Sequence, residues 1–345
     1  MPDDQSGIRH PFPEPPKEGE AITVAPGILW MRLPLPMALD HVNVYVLDDG
    51  DSWTVIDTGF ASKRGRAIWE KLMQGPLQGK PVARVVVTHH HPDHVGLAAW
   101  FMQQGAALCM PRTGWLMARM LTLDVQDVPN AEALSFYQRA GMDPAELERR
   151  KTERPFNFAD CVAPLPLGYT RLVDGVSIAM GGRTWDIRMG GGHAPEHATF
   201  WSRDDNIVIG GDQLLPSISP NLGVYPTEPD ADPVTDWLRS CEAFQAFAEP
   251  GQLVLGGHKL PFTGLPTRLT QLIDNHHGAL KRLLAFLSEP HSAGDCFMPL
   301  FKRTIKQGEY GLALVEAVAH LNHLHQSGQA TRVMRDDGAW VFQAV

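Results

Sequence analysis

The chain has 345 residues, enough for one large domain and a smaller one around a sizeable buried core. Its formal net charge is −9, with lysines and arginines scattered, so it carries no basic footprint for a phosphate backbone and nucleic acid is not the expected partner. No stretch approaches the ~20 continuous apolar residues of a transmembrane helix, and Cys109, Cys161, Cys241 and Cys296 are too dispersed for a small disulfide framework. They read as free thiols in a reducing compartment.

The start, "MPDDQSGIRHPFPEPPKEGE", has acids and prolines where a secretory signal would have a basic patch and an apolar run. Residues 1–20 are therefore expected to be a flexible N-terminal arm, and the protein to be cytoplasmic. "AITVAPGILWMRLP", "HVNVYVLDDG" and "SWTVIDTG" follow as a meander of short strands, rich in β-branched and aromatic residues and separated by turn residues. Helical spacing covers Ser62 to Gln74, "PVARVVVT" is a buried strand, and Asp93 to Gln104 reads as a helix stopped by Gly105.

From about 111 to 167 the pattern is helical, in "GWLMARMLTL", "NAEALSFYQRAGM" and "PAELERRK", and reads as an insertion. Its Trp115, Met117, Met120, Leu121, Phe136, Tyr137, Phe156 and Phe158 make it a candidate apolar lid. Strands return in "GVSIAM", "RTWDIRMGGGH", "ATFWSRDDNIVIGGD" and "QLVLGGH", with a helix around Asp236–Ala248. Beyond 265 the chain turns helical, at 267–288 and 311–327, and ends in two short strands around an Asp-Gly turn. The expected units are thus an α/β domain over 21–265 and a helical domain over 266–345.

The chemistry concentrates in "VVVTHHHPDHVG", from Val85 to Gly96. Strand alternation would point His89 and His91 to one side and His90 away. Pro92 then breaks the strand and sets Asp93 and His94 in the first turn of a helix. Three later residues share one context, an apolar run followed by glycines: His193 after "RMGGG", Asp212 after "VIGG" and His258 after "LVLGG". Glycine there permits the tight turns and close approach that ligands converging from several strand ends require. Imidazole and carboxylate donors without thiolates suit zinc first, with manganese or iron as alternatives, and this donor set suffices for two divalent ions.

"THHHPDH" with His193, Asp212 and His258 downstream resembles the metallo-β-lactamase superfamily, whose pattern is His-x-His-x-Asp-His followed by His, Asp and His. The resemblance implies a four-layer αβ/βα sandwich with a dinuclear site on one edge. It assigns His89, His91 and His193 to one metal, Asp93, His94 and His258 to the other, and Asp212 to a bridge. It also places Asp57 of "SWTVIDTG" behind the ligands, orienting a histidine. His197 lies at a spacing known from glyoxalase-like members, which carry glycine where Glu196 stands, so both residues, like His90, are read as structural. The tail resembles the winged-helix extension of a lactamase-like branch.

Two ions sharing a bridging hydroxide make a nucleophile at neutral pH, so hydrolysis is expected, with Asp93 and Asp212 catalytic. A small-molecule carboxylic ester, thioester or lactone is the first substrate class. His41, Asn43, Asn221 and Tyr225 are candidate substrate contacts. The rivals are a phosphodiesterase or endoribonuclease of the same fold and a mononuclear iron oxygenase acting on sulfur compounds. "GLALVEAVAHLNHLHQSG" lacks the cations of a nucleic-acid reader, so the tail is expected to pack or dimerise instead, and His320, His323 and His325 to be packing or surface residues.

Overall fold

The computed structural model describes residues 7–345. Its first sheet begins as an antiparallel meander of β1 (Ile22–Ala25), β2 (Ile28–Pro34), β3 (His41–Asp48) and β4 (Trp53–Ile56). After α1 (Lys63–Gln74), capped by Ser62, the sheet continues in parallel with β5 (Val82–Val86). The short helices α2 (Pro92–Val95) and α3 (Ala98–Gln103) then lead to β6 (Ala107–Pro111). The expected single helix is broken because the Leu97 N–H is taken by Thr58 Oγ1 and the Gly59 carbonyl.

The 111–167 segment forms α4 (Arg112–Leu123), α5 (Ala131–Arg139) and α6 (Pro144–Arg150). It leads into β7 (Thr170–Leu172), the edge of this seven-stranded sheet. β7 is absent from the sequence reading, because three residues with one buried side chain carry no alternation to detect. The second sheet holds β8 (Ser177–Met180), β9 (Arg183–Gly190), β10 (His197–Ser202), β11 (Ile207–Gly211) and, after α7 (Pro233–Gln245), β12 (Leu253–Gly256). The chain then forms α8 (Leu265–Phe286), α9 (Phe297–Phe301), α10 (Tyr310–Gln326) and the hairpin of β13 (Ala330–Met334) and β14 (Trp340–Ala344).

Period-two alternation explains the layers. On the first sheet Trp30, Tyr45, Ile56 and Val86 face inward to meet Trp185, Ile187, Phe200, Ile209 and Leu255 of the second. Their sequence neighbours Met31, Val44, Val55 and Val85 face outward onto Trp69 and Leu72 of α1 and Phe101 of α3. Val208 and Val254 turn outward from the second sheet onto Trp237 of α7, Leu269 and Leu272 of α8 and Leu314 and Leu321 of α10. The result is the αβ/βα sandwich, with one apolar cluster running from the second sheet into the C-terminal helices.

Of the arm expected at 1–20, residues 1–6 lie outside the described residues. The remainder lies along the body: Arg9 bridges Thr263, and Phe12 packs on the inter-sheet core.

Phe200 is fully buried between the sheets. Phe200→Ala should destabilise the fold by about 3–5 kcal/mol through lost burial and a residual cavity, read from the shift in chemical unfolding.

Candidate metal centre

β4 and β5 run parallel and end side by side, and the site grows from that edge. Asp57 follows β4 with φ 60°, a left-handed conformation that aspartate tolerates better than most residues. Its Oδ1 accepts the Thr88 N–H (2.8 Å) and its Oδ2 the Thr88 hydroxyl (2.9 Å) and His94 Nδ1–H (2.8 Å). The Thr88 hydroxyl in turn accepts from His89 Nδ1 at 3.0 Å. One buried carboxylate thereby orients two imidazoles, directly and through Thr88, with Nε2 pointing outward.

The other two histidines from distant strand ends are held by carbonyls. His193 donates Nδ1–H to the Asn221 carbonyl (3.0 Å), and His258 donates Nδ1–H to that of His41 (2.8 Å). Close approach needs glycine here. A Cβ on Gly257 would sit 2.1 Å from Asp212 Oδ1, and one on Gly192, at φ 96°, would sit 2.6 Å from the Pro233 carbonyl.

The donor atoms converge. His91 Nδ1 lies 3.0 Å from His89 Nε2 and 2.9 Å from His193 Nε2. His258 Nε2 lies 3.4 Å from Asp93 Oδ2 and 3.2 Å from Asp212 Oδ2, while His94 Nε2 is 3.7 Å and 3.4 Å from the same two oxygens. Asp212 Oδ2 is also 3.5 Å from His193 Nε2, so it stands between the two groups. Three sets each keep their ligand atoms within 4.8 Å of one another and could hold an ion: His89, His91 and His193; Asp93, His94 and His258; and His89, His94 and Asp212. His94 Nε2 and Asp212 Oδ1 are buried with no hydrogen-bond partner among the described residues, as atoms reserved for a cation would be. β5 ends at Val86, so His89 and His91 meet through the loop rather than through strand register.

The electrostatics fit a cationic occupant. Burial alone would lift the Asp212 carboxyl, but His258 and His94 hold it well below its ordinary range. Burial alone would lower His258, but Asp212 and Asp93 raise it to about 10. His89 and His91, buried among other imidazoles, are pushed down and kept neutral.

The remaining expected residues divide. Asn43 is buried, its Oδ1 accepting from Trp30 and Arg32 and its Nδ2 donating to the carbonyls of Gly256 and Lys259. His41 is engaged at both nitrogens, with Asp40 and the Lys259 N–H. Both buttress the turn that presents His258. Asn221 turns its amide to the Leu312 carbonyl and Glu316, whereas Tyr225 is exposed. Glu196 accepts from the Thr113 N–H at the start of α4, and His197 accepts the Asp212 N–H at Nε2 while stacking on His89. The Thr88 hydroxyl and the two carbonyl acceptors escaped the sequence reading. Only Thr88, beside the histidines, left a signal.

The family model described as "Metallo-beta-lactamase superfamily" matches residues 37–270, and one described as "Metallo-beta-lactamase-like, C-terminal domain" matches 280–345. The probable metallo-hydrolase YqjP of Bacillus subtilis is 25% identical over 307 residues, covering 86% of this chain and 92% of that protein. A solved β-lactamase domain protein from Burkholderia ambifaria is 35% identical with a TM-score of 0.90, covering 98% of each chain. A metallo-β-lactamase family protein from Thermus thermophilus, 24% identical with a TM-score of 0.78, shares the fold over 94% of this chain and 100% of its own.

Protons and a divalent ion are alternative counter-charges for Asp93 and Asp212, which hold the His258 imidazole up at about 10 and so protonated at neutral pH. Zinc uptake at neutral pH should therefore release protons, and the apparent affinity should climb as pH rises toward that value. Calorimetry in buffers of different ionisation enthalpy measures the release; a pH-independent affinity would contradict the account.

Proposed function

This chain belongs to the metallo-β-lactamase superfamily and is a metal-dependent hydrolase, and on that premise we propose that it holds two divalent ions, zinc first, and cleaves a small-molecule carboxylic ester, thioester or lactone. The position of Asp212 Oδ2 between the two donor groups carries the two-ion reading. His89, His91 and His193 would hold one ion and Asp93, His94 and His258 the other, with Asp212 placed within reach of both groups. Bound there, the ions supply a nucleophile at neutral pH by lowering the pKa of water, and they polarise the scissile carbonyl.

The chain's own residues do the rest. Asp57 fixes the tautomers of His94 and, through Thr88, of His89. Asp93 is the more exposed of the two carboxylates, 17% against 6% for Asp212, and its Oδ2 is the atom placed to take a proton and pass it toward the leaving group.

An uncharged, acyl-bearing substrate is supported by the wall beside the metal loop. Phe158 stacks over His90, and the exposed Phe156 packs on Phe158. With Leu116 and Met120 of α4, also exposed, these residues are the apolar side chains that would serve if the 111–167 insertion closes over the site as a lid. Tyr225, exposed after the Asp212 loop, is the candidate substrate contact. A polyanion finds little welcome in the tail, where Arg332 is paired with Asp230 (2.7 Å) and Arg335 with Asp337 (2.8 Å). We assign the tail, a winged-helix-like module, to packing against the catalytic unit.

Zinc-loaded protein should turn over members of an ester, thioester and lactone panel and leave bis-p-nitrophenyl phosphate nearly untouched. Asp212→Ala should abolish turnover, and Asp93→Asn should lower kcat by about a hundredfold or more. Turnover confined to the phosphodiester would overturn the substrate class.

A further inference from the structure

The loop after Asp212 runs from Gln213 through Asn221, whose carbonyl orients His193. Its anchors come from the C-terminal helices. Arg268 of α8 donates to the carbonyls of Leu215 (2.6 Å) and Ile218 (2.7 Å), and His276 of α8 meets the Ser219 hydroxyl at 3.1 Å. From α10, the Val315 carbonyl accepts the Val224 N–H at 3.1 Å, while Leu222 and Val224 pack into the cluster of Leu314 and Val318.

The anchor of Asn221 itself is the most specific. Its Nδ2 donates to Glu316 Oε2 at 2.7 Å and to the Leu312 carbonyl at 3.1 Å. Its Oδ1 is buried without a partner among the described residues, so the amide is held from the Nδ2 end. Glu316 also accepts through its own carbonyl from His320 Nδ1 at 2.8 Å, and His320 Nε2 faces His276 Nδ1 at 3.4 Å. One helical residue thus ties the Asn221 amide and the buried histidine pair to the same turn of α10.

We propose that Glu316 is a positioning residue for the metal ligand His193: by clamping the Asn221 side chain it holds the Asn221 carbonyl where it accepts His193 Nδ1–H, which fixes the tautomer that leaves Nε2 free for an ion. The C-terminal helix is on this account part of the metal site, although it contributes no ligand to it. Outer partners of ligand histidines influence metal affinity because they set ring orientation and basicity. The clamp needs an acceptor oxygen at position 316 rather than a charge. This inference rests on the two-ion reading only for which of two sites is affected.

The experiment is a chelator-competition titration of the full chain with zinc alone, with thermal unfolding recorded in parallel. Glu316→Ala should weaken one zinc equivalent about tenfold, the same one lost in His193→Ala, and leave the other within about twofold. Glu316→Gln, which keeps the acceptor, should restore wild-type affinity. If Glu316→Ala does not fold, Asn221→Ala decides, since it removes the same bond from the loop side and keeps the carbonyl. Wild-type zinc affinity in both alanine variants would overturn the proposal, as would equal weakening of both equivalents without rescue by glutamine. If the wild-type chain takes one zinc, the two-ion reading falls, and the clamp still stands or falls by the effect on that ion.

Discussion

Asp93 and Asp212 place two carboxylates beside five imidazoles at the edge of a β-sandwich, and their need for positive charge in a dehydrated setting governs the rest of the site. Carboxylates removed from water stay ionised only when cations or hydrogen-bond donors face them. Here the facing groups are His94, His193 and His258, whose far nitrogens are committed to Asp57, the Asn221 carbonyl and the His41 carbonyl. The near nitrogens face the aspartates, an arrangement that could hold a cation. The glycines before His193, Asp212 and His258 follow from the same crowding, since Gly257 has no room for a Cβ.

The sandwich supplies the edge on which this convergence occurs. β4 and β5 are parallel, so Asp57 and the histidine loop leave the first sheet at one end. β11 and β12 are parallel in the second sheet, and Asp212 and His258 follow their ends. The inter-sheet core around Trp30, Trp185 and Phe200 holds the two edges together. The tolerance of a metal centre is small compared with ordinary loop motion, so a dense core beneath it is a functional requirement as well as a stabilising one.

Much of this was legible in the residues themselves. His89, His91, Asp93 and His94 lie in one short string, and each distant partner follows an apolar run and glycines. What the sequence did not disclose is what backbone atoms do. The carbonyls that orient His193 and His258 belong to Asn221 and His41, residues singled out for side chains that turn out to be occupied elsewhere. Asn43 is a buried fastening beneath Gly256 and Lys259, a role that its place in "DHVNVY" does not announce. Long-range contact also hid the role of the tail. Nothing local in "GLALVEAVAHLNHLHQSG" tells that Glu316 reaches a loop 95 positions earlier.

The central claim is that the cluster holds two divalent ions. Elemental mass spectrometry of the full chain, purified without chelator or added metal, tests it most directly by giving identity and stoichiometry together. The account predicts about two zinc or manganese ions per chain. A single iron, with the Asp93, His94 and His258 group unfilled after zinc supplementation, would contradict it and move the chemistry toward oxidation.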